Sequence, residues 1–142
     1  MKRRRAAQPG QALVWVAAML PCFLAIMGLA TDGGLVFEQR RELQALADGA
    51  ARAGANELDP AAYRQANTVA LDPVAARATA RIYLEQADAT MSGEVDADRS
   101  RVVIRVWRDV PTTFLRIVRI DSVRIAATSS AELRHGISQG TP

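Results

Sequence analysis

An uncharged stretch near the N-terminus constrains this chain most, because residues 6–31 contain no acidic or basic side chain. Its apolar centre, residues 12–30, reads ALVWVAAMLPCFLAIMGLA. A helix of that length extends about 28 Å, close to the thickness of the hydrocarbon core of a bilayer. The sequence therefore predicts one transmembrane helix over residues 12–31, preceded by a basic tip over residues 1–11.

The charges around this stretch predict its orientation. Four of the 18 basic residues stand at positions 2–5. The rest of the chain has 14 basic and 15 acidic residues, so its charges nearly balance. By the positive-inside rule the N-terminus is cytoplasmic and the C-terminal part is extracytoplasmic, in a single-pass protein of the cell membrane. Because the basic excess is confined to the tip, we expect no nucleic-acid partner.

Three other interpretations compete with a membrane anchor for the apolar stretch. A buried helix of a soluble protein would need more chain to cover it than remains. A signal peptide cut after Ala30 has small residues at Gly28 and Ala30, although the apolar run exceeds the roughly 7–15 residues usual for such peptides. A lipoprotein would carry its lipid on Cys22, but Pro21 stands before it where a small residue is expected. Length favours an anchor, in which Pro21 predicts a kink, while cleavage after Ala30 stays open.

A helical pattern continues beyond the membrane and predicts an Ala-rich extension over residues 32–58. Small residues on one of its faces permit close approach of a partner helix, and we assign them as helix-packing residues: Ala47, Ala50, Ala53 and Gly54. Gly33-Gly34 is either a flexible break or the weak point of a continuous helix. A long N-terminal helix, half in the membrane and half outside, is the simplest interpretation.

The remaining chain predicts an α+β fold over residues 59–133, followed by a flexible tail over residues 134–142. A helix begins at Asp72-Pro73, which supply an N-cap and a first-turn proline, and runs to about Met91. Its expected buried side is Val74, Ala78, Ile82, Leu84, Ala87 and Met91. Alternating patterns predict three strands, 94–98, 102–110 and 122–133, with a short helix over 114–120. These strands form a small antiparallel or mixed sheet packed on helices.

The residue inventory predicts no enzyme, cofactor, metal site or small-molecule substrate. One cysteine and one histidine exclude a disulfide framework and a histidine cluster, and His135 is expected on the surface. Glu94, Asp96 and Asp98 offer too few oxygen ligands for calcium. Asp32 is either a functional carboxylate or, more simply, an interfacial residue or an N-cap that restarts the helix after Gly33. Trp107 either covers a sheet face against a helix or anchors a partner.

The sequence resembles the TadE/TadG-like proteins of Flp (tight adherence) pilus assembly over about residues 8–55. The resemblance rests on an ordered series of segments: Gly10-Gln11-Ala12-Leu13-Val14, Leu20-Pro21, Gly28-Leu29-Ala30-Thr31-Asp32, Arg40-Arg41-Glu42-Leu43-Gln44 and the Ala-rich residues 47–55. The second half is also similar, with Val-Pro-Thr-Thr-Phe at 110–114, a short Leu-Arg-Ile helix and an alternating last strand.

The resemblance implies a non-enzymatic, membrane-anchored component of a Tad/Flp pilus assembly or secretion apparatus, with the membrane and other pilus-assembly or pilin-like proteins as partners. TadE and TadF members are pseudopilins cut by a prepilin peptidase, which makes Gly10-Gln11 a candidate processing site. Trp15 replaces the glutamate expected at the fifth position after the cut, so the sequence favours an uncut, TadG-like protein. A processed minor pseudopilin and a secreted binding module remain alternatives. Gly54→Leu or Ala50→Leu is expected to weaken co-purification with other pilus components.

Overall fold

The computed structural model describes residues 9–66, 68–88 and 90–133. Three α-helices, three strands and one short 3-10 helix follow one another along the chain: α1 (Pro9–Ala55), α2 (Pro60–Ala66), α3 (Pro73–Ala87), β1 (Ser92–Ala97), β2 (Arg101–Pro111), the 3-10 helix (Leu115–Val118) and β3 (Ser122–Glu132). The predicted α+β architecture is thus confirmed. The charged residues 2–5 of the basic tip and the tail 134–142, with His135, lie outside the described residues.

Helix α1 is continuous from Pro9 to Ala55 and passes through Pro21, Gly33 and Gly34 without a break. Its 47 residues extend roughly 70 Å, more than twice a bilayer's hydrocarbon thickness. Only 6% of its most apolar window is buried, so the rest of the described structure does not cover this part of the helix. One long, apolar and exposed N-terminal helix fits a single-pass membrane anchor.

The three strands form one antiparallel sheet in the order β1-β2-β3. The β1–β2 hairpin is closed by Asp98, whose carboxylate accepts hydrogen bonds from the backbone N–H of Ser100 (2.7 Å) and Arg101 (2.9 Å). The Ser100 hydroxyl also donates to this carboxylate and is the largest cause that lowers the pKa of Asp98 to about 2. An aspartate that bonds the backbone two and three residues ahead favours such a tight turn.

One face of the sheet packs on α3 and on the second half of α1. We call the folded part of the chain after α1 the head, and the second half of α1 lies in its core. The sheet contributes alternating residues, as predicted, because side chains of a strand point to opposite faces in turn. The buried residues are Leu43, Ala47, Ala50, Ala51, Leu71, Ala76, Ala80, Leu84, Val95, Ala97, Val102, Ile104, Val106, Val110, Ile125 and Ala127. The core is therefore built largely from small side chains, which lets the helices lie close to the sheet.

The predicted buried face of α3 is wrong in most positions. The helix buries Ala76, Ala80 and Leu84, whereas Val74 is 74% exposed and Ile82 is 53% exposed. Small residues face inward because α3 passes close to α1: a Cβ on Gly54 would stand only 2.9 Å from the carbonyl oxygen of Ala76. The helix starts at the predicted cap, where the Asp72 carboxylate accepts from the N–H of Val74 and Ala75. It ends at Ala87, four residues before the predicted end, because the backbone of Asp88 is extended.

Strand β2 runs antiparallel to α1, from the C-terminal end of that helix toward Asp32. Its first residues lie beside the C-terminal end of α1, where Val102 approaches Gly54. Arg108, further along, reaches Glu42. The residues after the strand, Thr113 and Phe114, contact α1 at Asp32 and Gly28. The connection between β2 and β3 is therefore the part of the head nearest the predicted membrane span.

Candidate functional site

A buried carboxylate joins the head to α1 at the end of the apolar stretch. Asp32 is 1% exposed, and its two oxygens accept hydrogen bonds from three successive backbone N–H groups. The donors are Thr113 (3.0 Å), Phe114 (2.9 Å) and Leu115 (2.7 Å). We call this arrangement the Asp32 clamp.

The clamp has a clear electrostatic reason. N–H groups at the start of a 3-10 helix have no partner within that helix, and an ionised carboxylate is a strong acceptor for them. Hydrogen bonding from Leu115 is the largest cause that lowers the pKa of Asp32, burial opposes it, and the N–H groups of Thr113 and Phe114 lower it further. Asp32 does not restart α1, which is continuous; instead it caps a turn 81 to 83 residues further along the chain.

A glycine one turn before Asp32 completes the contact. Gly28 is buried although its neighbours in the apolar stretch are exposed. A Cβ built on Gly28 would lie 2.7 Å from Cβ and 2.8 Å from Cγ of Phe114. Phe114 therefore packs directly on the backbone of α1, and only glycine leaves room for it.

The β2–β3 connection, residues 112–121, is closed by its own hydrogen bonds. Thr112 is buried, and its backbone N–H donates to the backbone carbonyl of Asp121. Its hydroxyl donates to the backbone carbonyl of Ile120. The N–H of Ile120 donates to the carbonyl of Leu115 (3.1 Å), and Arg119 adopts a left-handed conformation with φ 66°. We call residues 112–121 the membrane-proximal loop.

A second polar contact ties the middle of β2 to both helices. The guanidinium of Arg108 donates to Asp88 at the end of α3 (2.9 Å) and to Glu42 of α1 (2.8 Å). The Arg108 and Asp88 side chains are 13% and 18% exposed. Hydrogen bonding from the Thr90 hydroxyl is the largest cause that lowers the pKa of Asp88, with Arg108 adding to it. The Asp32 clamp and the Arg108–Glu42 contact hold the head against α1, and neither offers a reacting group.

The predicted helix-packing residues contact the chain's own head. Ala47 and Ala50 lie in the core, and Gly54 faces α3 and β2. Ala53 is half-buried beside them. The small face of α1 therefore allows close packing within one molecule, and contact of these residues with another chain stays a prediction.

The remaining predicted residues have defined places in the structure, and their roles stay predictions. Gly10 and Gln11, the candidate processing site, are exposed in the first turns of α1, and Pro21 lies within that helix. Glu94, Asp96 and Asp98 are exposed on the β1–β2 hairpin, and no group of three potential metal ligands occurs among the described residues. Trp107 is half-buried on the face of the sheet opposite the core, level with Ser92 and Ala126.

Sequence reasoning missed the clamp and the Arg108 contact. One signal for the clamp was present, because Asp32 is the first charge after the apolar stretch and sits four residues after Gly28. A lone carboxylate at such a place requires several donors if it is to be buried. Its donors, however, are backbone groups of a distant segment, which no side-chain pattern reveals.

Replacing Gly28 by alanine is expected to destabilise the head by about 1–2 kcal/mol, because the added methyl group overlaps Phe114. The thermal midpoint of the full chain in detergent micelles measures this. Gly33→Ala is the matched control, since no described atom beyond the adjoining turns of its own helix lies within 4 Å of its Cβ position, and it should be neutral or slightly stabilising. In a double-mutant cycle with Phe114→Gly, which removes both Cβ and Cγ of Phe114, the cost of Gly28→Ala should become much smaller, and an unchanged cost would contradict the contact.

The lowered pKa of Asp32 predicts a defined pH dependence. A carboxylate whose folded pKa lies below the unfolded value of 3.8 adds stability above that value, and this stability is lost as the pH falls through the folded pKa. We therefore expect unfolding stability to be level from neutral pH to about pH 5 and to fall below about pH 4. The gap in thermal midpoint between wild type and Asp32→Asn should narrow over this acid range, whereas parallel curves would contradict the assignment.

Part of the chain is similar to a known protein family. Residues 10–57, a third of the chain, match the sequence model of the family described as "Putative Flp pilus-assembly TadE/G-like". Neither a search of curated proteins nor a search of solved structures gave a match.

The matched residues cover almost all of α1 and end just after it. They include Gly28 and Asp32, which α1 contributes to the contact with the membrane-proximal loop, and the small residues that α1 contributes to the core. The match supports a role in pilus assembly. The predicted resemblance to the TadE/TadG-like family of Flp pilus-assembly proteins is therefore confirmed for residues 10–57.

Proposed function

We propose that this protein is a non-enzymatic, membrane-anchored component of a Tad/Flp-type pilus assembly or secretion apparatus, TadG-like and uncut. The observation that carries the proposal is that the family match falls on a single helix with two different environments. Its first part is apolar and exposed, as a membrane span requires, and its second part lies in the core of the head. The head is thus held at a fixed place beside the membrane.

The proposed topology places the N-terminus in the cytoplasm and the head outside it. Lys2, Arg3, Arg4 and Arg5 precede the span, and the charges after it are mixed in sign. Positive residues beside a span are retained on the cytoplasmic side. This orientation would present the head to other components of the apparatus.

The protein would act through helix packing and contacts of the head, without chemistry of its own. Because the small face of the extension packs on α3 and the sheet, the surface of α1 available to other pilin-like helices is the exposed apolar part before the head. Leu13, Trp15 and Phe23 are each more than half exposed there. Helices in lipid associate through packing of such surfaces and do not require a hydrophobic driving force.

Two alternatives remain, and one contact bears on them. Cleavage at Gly10-Gln11 would yield a minor pseudopilin that keeps the whole span. Cleavage after Ala30 would release a secreted binding module and would separate Gly28 from Phe114. The close packing of these two residues supports a form in which residues 28 and 114 stay in one chain.

The mature N-terminus separates these forms. The protein is isolated from the native membrane fraction and its N-terminal peptide is identified by mass spectrometry. A start at Met1 or Lys2 supports the uncut anchor. A start at Gln11 would assign it to the processed pseudopilins, and a start at Thr31 would contradict the anchor.

A complementation experiment tests the pilus role itself. In a strain that lacks this gene, the full chain should restore surface pili seen by electron microscopy. The matched control is a chain that begins at Thr31 behind a cleavable signal, which should not restore them because it lacks the span. Normal piliation in the deletion strain would contradict the proposal.

A further inference from the structure

The membrane-proximal loop exposes a group of apolar side chains that the fold does not bury. Ile117 is 81% exposed and Val118 is 65% exposed, and Ile120 and Phe114 are each more than two-fifths exposed. These four residues lie within seven positions of one another, on one short loop. Contiguous exposed apolar surface in a small domain marks a contact site.

The position of the loop points to the bilayer as its partner. Phe114 packs on Gly28, and Gly28 lies inside the predicted span, three residues before its end at residue 31. With a rise of about 1.5 Å per residue, this contact lies about 4–5 Å on the membrane side of the end of the span. The loop therefore reaches the depth at which lipid begins.

The apolar surface of the loop is continuous with that of the span. Beside Gly28, the side chains of Met27 (67%) and Leu29 (59%) are exposed. A partner that covers the α1 surface at this level also meets the loop. Because that partner is lipid if α1 spans the membrane, the same lipid covers the loop.

The charges of the loop fit a bilayer surface. Arg116 and Arg119 alternate with the apolar residues, are exposed, and form no ion pair among the described residues. Arginine beside apolar residues places its stem along the apolar layer and its guanidinium among lipid phosphates. Asp121, the one acidic residue of the loop, stands at its far end.

We propose that the membrane-proximal loop is a second membrane contact, in which Ile117 and Val118 enter the outer interfacial layer and Arg116 and Arg119 bind lipid phosphates. This inference rests on the proposed membrane anchoring of α1. Two contacts with the same bilayer, one through α1 and one through the loop, fix the height and tilt of the head above the membrane. The Asp32 clamp transmits that orientation to α1.

Depth-dependent fluorescence quenching tests the contact. The native Cys22 is replaced by alanine, and single cysteines are placed at positions 117, 74 and 26 of the full chain and labelled with a polarity-sensitive fluorophore. The protein is reconstituted into phosphatidylcholine/phosphatidylglycerol vesicles with or without nitroxide-labelled lipid. Val74 is the matched control, since it is 74% exposed and stands two residues before Ala76, which meets α1 at Gly54, about 40 Å further from the membrane.

Nitroxide-labelled lipid should quench the fluorescence of the label at position 117 at least about twice as strongly as that of the label at position 74. Equal quenching at 117 and 74, with strong quenching at 26, would overturn the loop contact and leave the anchor intact. A label at 117 that is shielded from aqueous iodide but not quenched by lipid would assign these residues to contact with a second copy of the chain and overturn the proposal. Absence of quenching at 26 would overturn both the anchor and the loop contact.

Discussion

Replacing Gly54 by leucine is expected to unfold the head. A Cβ at this position would stand 2.9 Å from the carbonyl oxygen of Ala76 and 3.3 Å from a methyl group of Val102. The first is backbone of α3 and the second is a fully buried core residue, so neither can move away without separating α1 from its neighbours. An overpacked core position costs about 1–3 kcal/mol, and a leucine against backbone belongs at or above the upper end of that range.

Gly34→Leu is the matched control for this experiment. It is the same substitution in the same helix, and no described atom beyond the adjoining turns of α1 lies within 4 Å of its Cβ position. Because leucine favours helix over glycine, Gly34→Leu should leave the thermal midpoint unchanged or raise it slightly. Circular dichroism of the full chains in detergent should show an early loss of head structure in Gly54→Leu alone. Equal midpoints would contradict the packing of α1 on α3.

This experiment also decides how a co-purification defect is interpreted. If α1 packs on helices of other proteins through the face that carries its small residues, Gly54→Leu should weaken co-purification with other pilus components. In the structure the same substitution disturbs the chain's own core. A defect would therefore identify an interface on this face only if the thermal midpoint of the variant is unchanged.

The parts of the fold that could be predicted from the sequence are those set by local periodicity. The apolar stretch, the Asp72-Pro73 helix start and the alternating strand β2 each carry their signal within a few neighbouring residues. The buried face of α3 could not be obtained in this way. Helical periodicity favoured the large apolar residues Val74 and Ile82, whereas the close approach at Gly54 admits only alanines and places the larger residues outside.

The candidate site depends on long-range contacts, and this is why the sequence indicated its parts and not their arrangement. The sequence indicates Asp32 as a carboxylate just after the predicted span, and it indicates a short helix that begins beside the Thr-Thr-Phe segment. They meet because strand β2, over its whole length, runs back along the second half of α1 toward Asp32. The direction of β2 relative to α1 is set by strand pairing and by packing on the helix. Neither can be read from a local pattern of residues.

Replacing Asp32 by alanine is expected to release the membrane-proximal loop from α1. The substitution removes the acceptor of three N–H groups at once and leaves them without a partner beside an apolar surface. Amide hydrogens that lose such bonds open to solvent through local unfolding. Exchange of the Thr113, Phe114 and Leu115 amides should accelerate by about tenfold or more, measured by hydrogen–deuterium exchange of the full chain in micelles.

Two variants show whether this effect belongs to the clamp. Asp96→Ala removes an exposed carboxylate from β1 and should leave exchange of residues 113–115 unchanged. Asp32→Asn keeps one side-chain oxygen as an acceptor and should give intermediate rates. If the three amides remain protected in Asp32→Ala, the loop is held by its own bonds between Thr112, Ile120 and Asp121, and the orientation of the head does not depend on Asp32. Faster exchange confined to residues 113–115, with β2 and β3 still protected, would establish the clamp as the link between the membrane span and the head.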